Sequence, residues 1–292
     1  MKSILATTAA LALVFWSCER IIPFTAEDDQ PLITLYSSLE PDAPVEAFVS
    51  RSVGILDQGE PILLEDAIVW AEDGSGQLLD TLEFTGLGWY RSPNLTGVAG
   101  QTYVIRATHA SLPAVSGSAK IPAIPAEGVV DSVTAFDGTS GGPGMGGMPY
   151  VEYSFEIIDD GEAGYYQIEG YERLRGTFTI PEYRLLIETD DPLVNGSGFG
   201  QDKWQQRIDI SNEFFLGSTH TMTLRVYQWD QQGMEILFKL KKVDEATFFY
   251  ERSLDQYQNA NGNPFTQPVS VYSNVQNGLG VVAGTSYRWI LP

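Results

Sequence analysis

The sequence predicts a mainly β protein, organised as two β-rich domains with a single helix near the C-terminus. Three observations predict it. From Pro31 to Lys120 no helical hydrophobic period is sustained for ten residues, and short apolar stretches are cut by Gly, Asp and Pro turns. Tyr150–Ile158 alternates between apolar and polar residues, the period of a strand with one buried face. Only near the C-terminus do apolar residues recur at intervals of three and four over several turns.

At the N-terminus, Lys2 precedes an uncharged, mostly apolar run from Ile4 to Trp16, too short to span a bilayer permanently, so residues 1–17 read as a signal peptide. Cys18 is the only cysteine, which excludes an internal disulfide; attachment of a diacylglyceryl group accounts for a lone thiol at this place. Ser17 suits such a site, whereas Phe15 and Trp16 depart from the usual lipobox. Residues 18–30 are then a lipidated tether, and the protein is membrane-anchored without a spanning segment.

In the first domain, 31–121, strands are expected at Leu32–Leu39, Val45–Ser52, Ala67–Ala71, Gln77–Phe84, Gly88–Arg91 and Thr102–Thr108. Ala67-Ile68-Val69-Trp70, the turn Glu72-Asp73-Gly74, Gly88-Trp89-Tyr90 and Gly100-Gln101-Thr102-Tyr103 carry a resemblance. They are similar to the transthyretin-like or carboxypeptidase-regulatory sandwich, an Ig-like β-sandwich in which each glycine allows a turn and the aromatic after it inserts between the sheets. The resemblance implies that Trp70, Tyr90 and Tyr103 belong to the core. Pro113, Pro122 and Pro125 punctuate a stretch ending in Ala126-Glu127-Gly128 that reads as a stiff, non-helical linker, with the boundary between the domains at residues 122–128.

The second domain, 129–292, is again mostly antiparallel β, with strands expected at Val129–Phe136, Tyr150–Ile158, Tyr165–Tyr171, Phe178–Glu188, Arg207–Ile210, Thr219–Trp229, Gly280–Ala283 and Tyr287–Leu291. Gly138–Pro149 is a Gly-Met-rich loop. Asp244 caps a helix expected at Glu245–Gln258, with Val243, Ala246, Tyr250, Leu254 and Tyr257 as its apolar stripe and Asn259 to Pro264 as its stop. The tail after it is rich in Pro, Asn and Gly, residues suited to leading the chain from the helix back to the sheet.

The run from Asn263-Pro264-Phe265 through Asn274-Val275-Gln276-Asn277-Gly278 to Gly284, with Asp131-Ser132, Asp159-Asp160 before Tyr165-Tyr166, and Ile210-Ser211-Asn212-Glu213-Phe214-Phe215-Leu216-Gly217, resembles a Bacteroidota outer-membrane lipoprotein family of unknown function (domain of unknown function 4249). Its members are typically encoded beside TonB-dependent receptors. The resemblance implies an outer-membrane location, surface-exposed, and an accessory role in uptake with such a receptor as partner. It carries no catalytic residues.

Composition and motifs bound the chemistry. A net charge of −21 disfavours nucleic-acid phosphates as partners. His109 and His220 are the only histidines, with neither a G-x-S-x-G turn nor H-E-x-x-H spacing, so no catalytic residue, cofactor or metal site is expected and the protein is read as a non-enzyme. For ligand or partner contact the candidates are the loop from Asp190 to Trp204, with Asp190, Asp191, Phe199 and Trp204, and the methionines Met145 and Met148. Phe199 and Trp204 either stack on a sugar ring or a receptor, or tuck under their loop. The alternatives to an uptake accessory are a structural or adhesive surface protein whose first sandwich is a spacer, and a carbohydrate-active hydrolase using paired carboxylates such as Asp159-Asp160 or Asp190-Asp191.

Overall fold

A computed structural model describes residues 30–54, 60–126, 128–136, 150–177, 184–194, 205–227, 233–260 and 269–292, with the side chains of 132–136 left aside. The chain is mainly β, as expected. The first half comprises β1 (Ile33–Leu39), β2 (Pro44–Arg51), β3 (Ile62–Leu63), β4 (Ile68–Asp73), β5 (Leu78–Gly86), β6 (Trp89–Thr96), β7 (Thr102–His109) and β8 (Leu112–Lys120). The second comprises β9 (Val130–Phe136), β10 (Tyr150–Ile158), β11 (Tyr165–Leu174), β12 (Ile187–Glu188), β13 (Ile208–Ser211), β14 (Thr219–Tyr227), β15 (Met234–Val243), helix α1 (Glu245–Ala260) and β16 (Leu279–Ile290).

Alternation sets the first core. Leu35, Val45, Ala47, Val49, Val69, Ala71, Ile105 and Ala107 point inward from successive strands and are sealed from solvent. The sheet folds over itself at β5, which pairs with β4 through Leu78–Leu82 and with β6 through Glu83–Gly86. Tyr90 and Tyr103 are core residues, as expected, and each hydroxyl reaches the backbone: Tyr90 donates to the Leu64 carbonyl at 2.7 Å, and Tyr103 accepts from the Val98 N–H at 3.0 Å. Trp70 is not in the core. It sits between the inward-facing Val69 and Ala71, so the two-residue period turns it to the outer face, where its indole N–H donates to Glu72 at 2.8 Å.

Three further expectations need correction. Pro113 lies inside strand β8 rather than in a linker; β8 is the edge of the larger sheet, where a missing N–H costs no ladder bond. Strand β15 was not expected at all, although Phe238 and Leu240 face the core and Lys239 between them does not. The helix is anchored by its first turn, where Ala246, Thr247 and Phe248 are buried, while Tyr257 of the expected stripe is 46% exposed. Asp244 caps it as expected, accepting from the Thr247 N–H at 2.8 Å. Of the strand expected at Phe178–Glu188, Ile187–Glu188 is formed and 178–183 lies outside the described residues.

The second core is a sandwich. The four-stranded sheet β12-β14-β10-β9 packs Phe155, Ile157, Met222, Leu224 and Val226 against Ile168, Ile208, Ile210, Phe238 and Leu240 of the larger sheet. The two segments expected at Gly280–Ala283 and Tyr287–Leu291 form one strand, β16, which serves both halves. It runs parallel to β1 through Leu279–Gly284 and antiparallel to β15 through Thr285–Ile290. Val282 belongs to the first core and Ile290 to the second. The linker is tied to this strand: Ser286 donates to the Ala123 carbonyl at 2.7 Å and Arg288 to that of Pro125 at 2.8 Å. Among the described residues no helix is long and apolar enough to cross a membrane.

Candidate functional site

Where the halves meet, a cleft of about 730 Å3 opens between the end of β8, the 161–164 turn, the 3-10 turn at Asn212–Phe214 and the start of α1. Tyr165 and Tyr272 line it. Tyr165 stacks on Phe248 with centroids 4.0 Å apart and planes 13° apart, and Tyr272 from the tail lies beside Phe249. Burial pushes the Tyr165 hydroxyl above its ordinary range, and the carboxylates of Glu245 and Glu213 add to the shift. Lys120 and Glu162 form a 2.7 Å ion pair from opposite sides of the cleft. The described lining has no histidine or cysteine; it offers hydrogen bonds, ring faces and charge.

The wall of this cleft is held by one carboxylate. Asp159, buried at the end of β10, accepts from the Tyr166 hydroxyl at 2.8 Å, the Asn212 amide at 2.7 Å, and the backbone N–H groups of Gly161 at 2.9 Å and Gly217 at 2.6 Å. Burial alone would raise its pKa, yet the donors from Asn212, Gly217, Gly161 and Tyr166 outweigh it and hold the carboxyl below the usual range. Asn212 reaches further, donating to the Glu162 carbonyl and accepting from the Gly164 N–H. Asp160 is the counter-ion of the buried Lys242. The Asp159-Asp160 pair is therefore committed to different structural partners.

Asp190 and Asp191, expected as contact residues, line a smaller hollow of about 350 Å3 with Glu152, Thr221 and Arg225. Each is already engaged: Asp190 pairs with Arg225 at 2.7 Å, and Asp191 meets His220 Nε2 at 2.9 Å and accepts from the Leu193 N–H. His220, on strand β14, is packed flat on Phe215 with centroids 4.9 Å apart. His109 closes onto Asp66 at 3.1 Å at the end of β7. Cys18, Met145, Met148, Phe199 and Trp204 lie outside the described residues. Among the described residues no three His, Cys, Asp or Glu side chains gather as metal ligands. The cleft itself escaped sequence reasoning because its walls come from separate segments between Thr102 and Asn274, with no local signal to join them.

A family model for a domain of unknown function, DUF4249, matches residues 19–288. The chain belongs to the DUF4249 family. Among curated proteins no relative matches it. Among solved structures it is similar to Escherichia coli alpha-2-macroglobulin activated by porcine elastase, at 11% identity and a TM-score of 0.26, over 90% of this chain and 20% of that one. It is also similar to the yeast delta-COP-I mu-homology domain, at 9% identity and a TM-score of 0.20, over 90% of this chain and 97% of that one. This chain spans about a fifth of the first protein's length, and neither likeness carries an argument about function.

Within this DUF4249 chain, the segments that carry the family resemblance converge on structural tasks. Asp159, Tyr166, Asn212 and Gly217 are the members of the carboxylate hub. In the tail, Asn274 donates to the carbonyls of Ser118 and Val282 and accepts from the Val282 N–H at 2.9 Å, bridging β8 to β16. Gly280 has φ +111°, and a Cβ there would overlap the Leu35 carbonyl oxygen across the parallel β1–β16 pair.

Proposed function

We propose that this protein is a Bacteroidota cell-envelope lipoprotein, anchored in the outer membrane through Cys18 and exposed at the surface. It binds rather than catalyses, and it works with a TonB-dependent outer-membrane receptor in uptake. The observation that carries the binding reading is the cleft between the halves. It combines aromatic ring faces with polar groups in a concave space of a size that suits a ligand or a protruding partner loop. Asp159, Asp160 and the Asp191–His220 pair, the groups that would serve a hydrolase, are instead engaged in contacts that hold the fold. Family membership supports the envelope setting, with Cys18 directly before the matched region.

Affinity purification from detergent-solubilised envelopes through a C-terminal tag tests the partnership, since Leu291 and Pro292 are exposed. A TonB-dependent barrel recovered in stoichiometric amount is the expected result. Repeated gentle purifications without a barrel refute the accessory role and direct attention to adhesion. Anchoring is tested separately by Cys18→Ser, which should release the protein from the membrane fraction.

A further inference from the structure

Strands β11, β15 and β16 turn one face to the second core and the other away from it. On the outer face, Glu169 stands opposite Lys239 and Lys239 opposite Trp289; in the next row Gln167 stands opposite Lys241 and Lys241 opposite Tyr287. An outward strand face is ordinarily solvated, yet here Glu169 is 1% exposed and Lys241 8%. A carboxylate so buried needs compensation. Glu169 receives it from the Tyr171 hydroxyl at 2.7 Å, Arg184 Nη2 at 3.2 Å and Lys241 Nζ at 3.4 Å. Burial pushes its pKa up, but Lys241, Tyr171 and Arg184 pull harder and leave it below the usual range.

That single carboxylate answers three cations. Among the described residues Lys239 makes no ion pair: its ammonium rests 3.8 Å from the Tyr287 ring centroid and 5.6 Å from that of Trp289. Burial, and then the neighbouring Lys241, push its pKa down, while Glu169 and Glu40 pull the other way without reaching ion-pair distance. The acids on the neighbouring rows, Asp209, Glu251 and Asp255, are gathered around Arg207. In a chain with 38 acidic and 17 basic residues, Lys239, Lys241 and Arg184 thus share the one carboxylate of Glu169.

We propose that Lys239 and Arg184, backed by Tyr287 and Trp289, form a binding site for a small organic anion that carries a planar ring, an aromatic carboxylate. The excess of positive charge attracts the anionic group. A half-desolvated ammonium gains more from an arriving carboxylate than a fully hydrated lysine does. Arg184, whose side chain is 40% exposed, supplies a second, planar donor. The rings of Tyr287 and Trp289, 6.4 Å apart at 81°, form a corner against which a flat ring packs, a contact that a bare inorganic anion cannot make. This site lies apart from the cleft, and the proposal stands whether or not a transporter is the partner.

The test is a titration of the full mature chain in detergent, followed by tryptophan fluorescence and calorimetry, with benzoate, acetate, benzyl alcohol and benzylamine as probes. Benzoate should bind saturably below about 10 mM, with acetate and benzyl alcohol about tenfold weaker and benzylamine without measurable binding. Lys239→Met and Arg184→Lys should each weaken benzoate binding about tenfold in chains that remain folded by circular dichroism. Should Lys239→Met fail to fold, Arg184→Lys decides, because it keeps a cation beside Glu169 and loses only the planar fork. No saturation by benzoate, equal binding of benzylamine, or unaltered benzoate affinity in the folded variants overturns the proposal.

Discussion

Among the described residues of the first half the buried side chains are uncharged: Ile33, Val49, Val69, Ile105 and their neighbours, with Ser37, Ser50 and Ser92 as the polar exceptions. The second half buries a comparable apolar core, from Phe155 to Phe238, and beside it seals Asp159, Glu169, Lys241 and Lys242. Apolar burial is indifferent to protonation, whereas a buried carboxylate stabilises only while it is ionised and fully hydrogen-bonded. The two halves thus differ in what the loss of a single buried charge would cost them. The second half also bears the cleft wall and the cationic patch, so the region with the richer binding chemistry is the one whose stability depends on charge.

The strongest way to break this contrast is to cut the strand that both halves share. Gly280→Ala places a methyl group against the Leu35 carbonyl at positive φ, and it should cost about 4 kcal/mol or more and destabilise both halves together in denaturant unfolding. Melting of the second half alone would mean that β16 is dispensable to the first. Asp159→Ala comes next. It strands four donors, and the expected loss is about 3 kcal/mol, with faster amide exchange confined to the second half.

Acid sharpens the same comparison. The carboxyls of Asp159 and Glu169 have folded pKa values held below the ordinary carboxylate value of about 4. Their contribution is therefore complete above that value and is lost as the pH falls through the lower, folded one. Asp209 and Asp244 are raised, chiefly by burial, and they oppose the trend by gaining protons earlier. In the first half Glu72, Asp73 and Asp80 are lowered too, by hydrogen bonds from Trp70, Ser75 and Ser92, but they lie outside the core, where solvent screens the effect. Hydrogen exchange should therefore show the second half, whose lowered carboxyls are buried, opening before the first as the pH drops below about 4. Simultaneous opening would put the pH-sensitive groups elsewhere.

Smaller effects probe the first half. Tyr90→Phe leaves the Leu64 carbonyl and the Ala67 N–H without their partner and should cost about 1–2 kcal/mol, independent of pH between about 4 and 8. Arg91→Gln removes an exposed ion pair with Glu46 and should change stability by less than about 0.5 kcal/mol in thermal melts.

Legibility in the sequence differed along the same divide. In the first half, period-two patterns and Gly turns located strands β1, β2 and β4 to β7, because one face packs inward and the other meets solvent. The pattern also held the information that was misread at Trp70, which follows an inward valine and so faces out. In β15, Phe238-Lys239-Leu240-Lys241 alternates just as cleanly, but lysines on a strand buried on both sides look like solvent-facing residues until the neighbours Glu169 and Tyr287 are in place. Pro113 resembled a linker residue because sequence cannot show which strand will form an edge. Of the contact residues proposed from sequence, Asp190 and Asp191 do meet in a hollow, already paired.

By itself, the sequence determined the β class, the strand periods, the cap at Asp244 and the need for glycine at the tail, all properties of a residue and its near neighbours. The tertiary structure alone decided that β16 would close both sandwiches and that Asp159 would find Asn212, 53 residues on. It also decided that Lys239 would lie over Tyr287 with Arg184 close by. The reason is physical. Alternation specifies which face of a strand is buried, but not which strand lies beside it or in which register, and the charge around a side chain is set by those neighbours across the sheet.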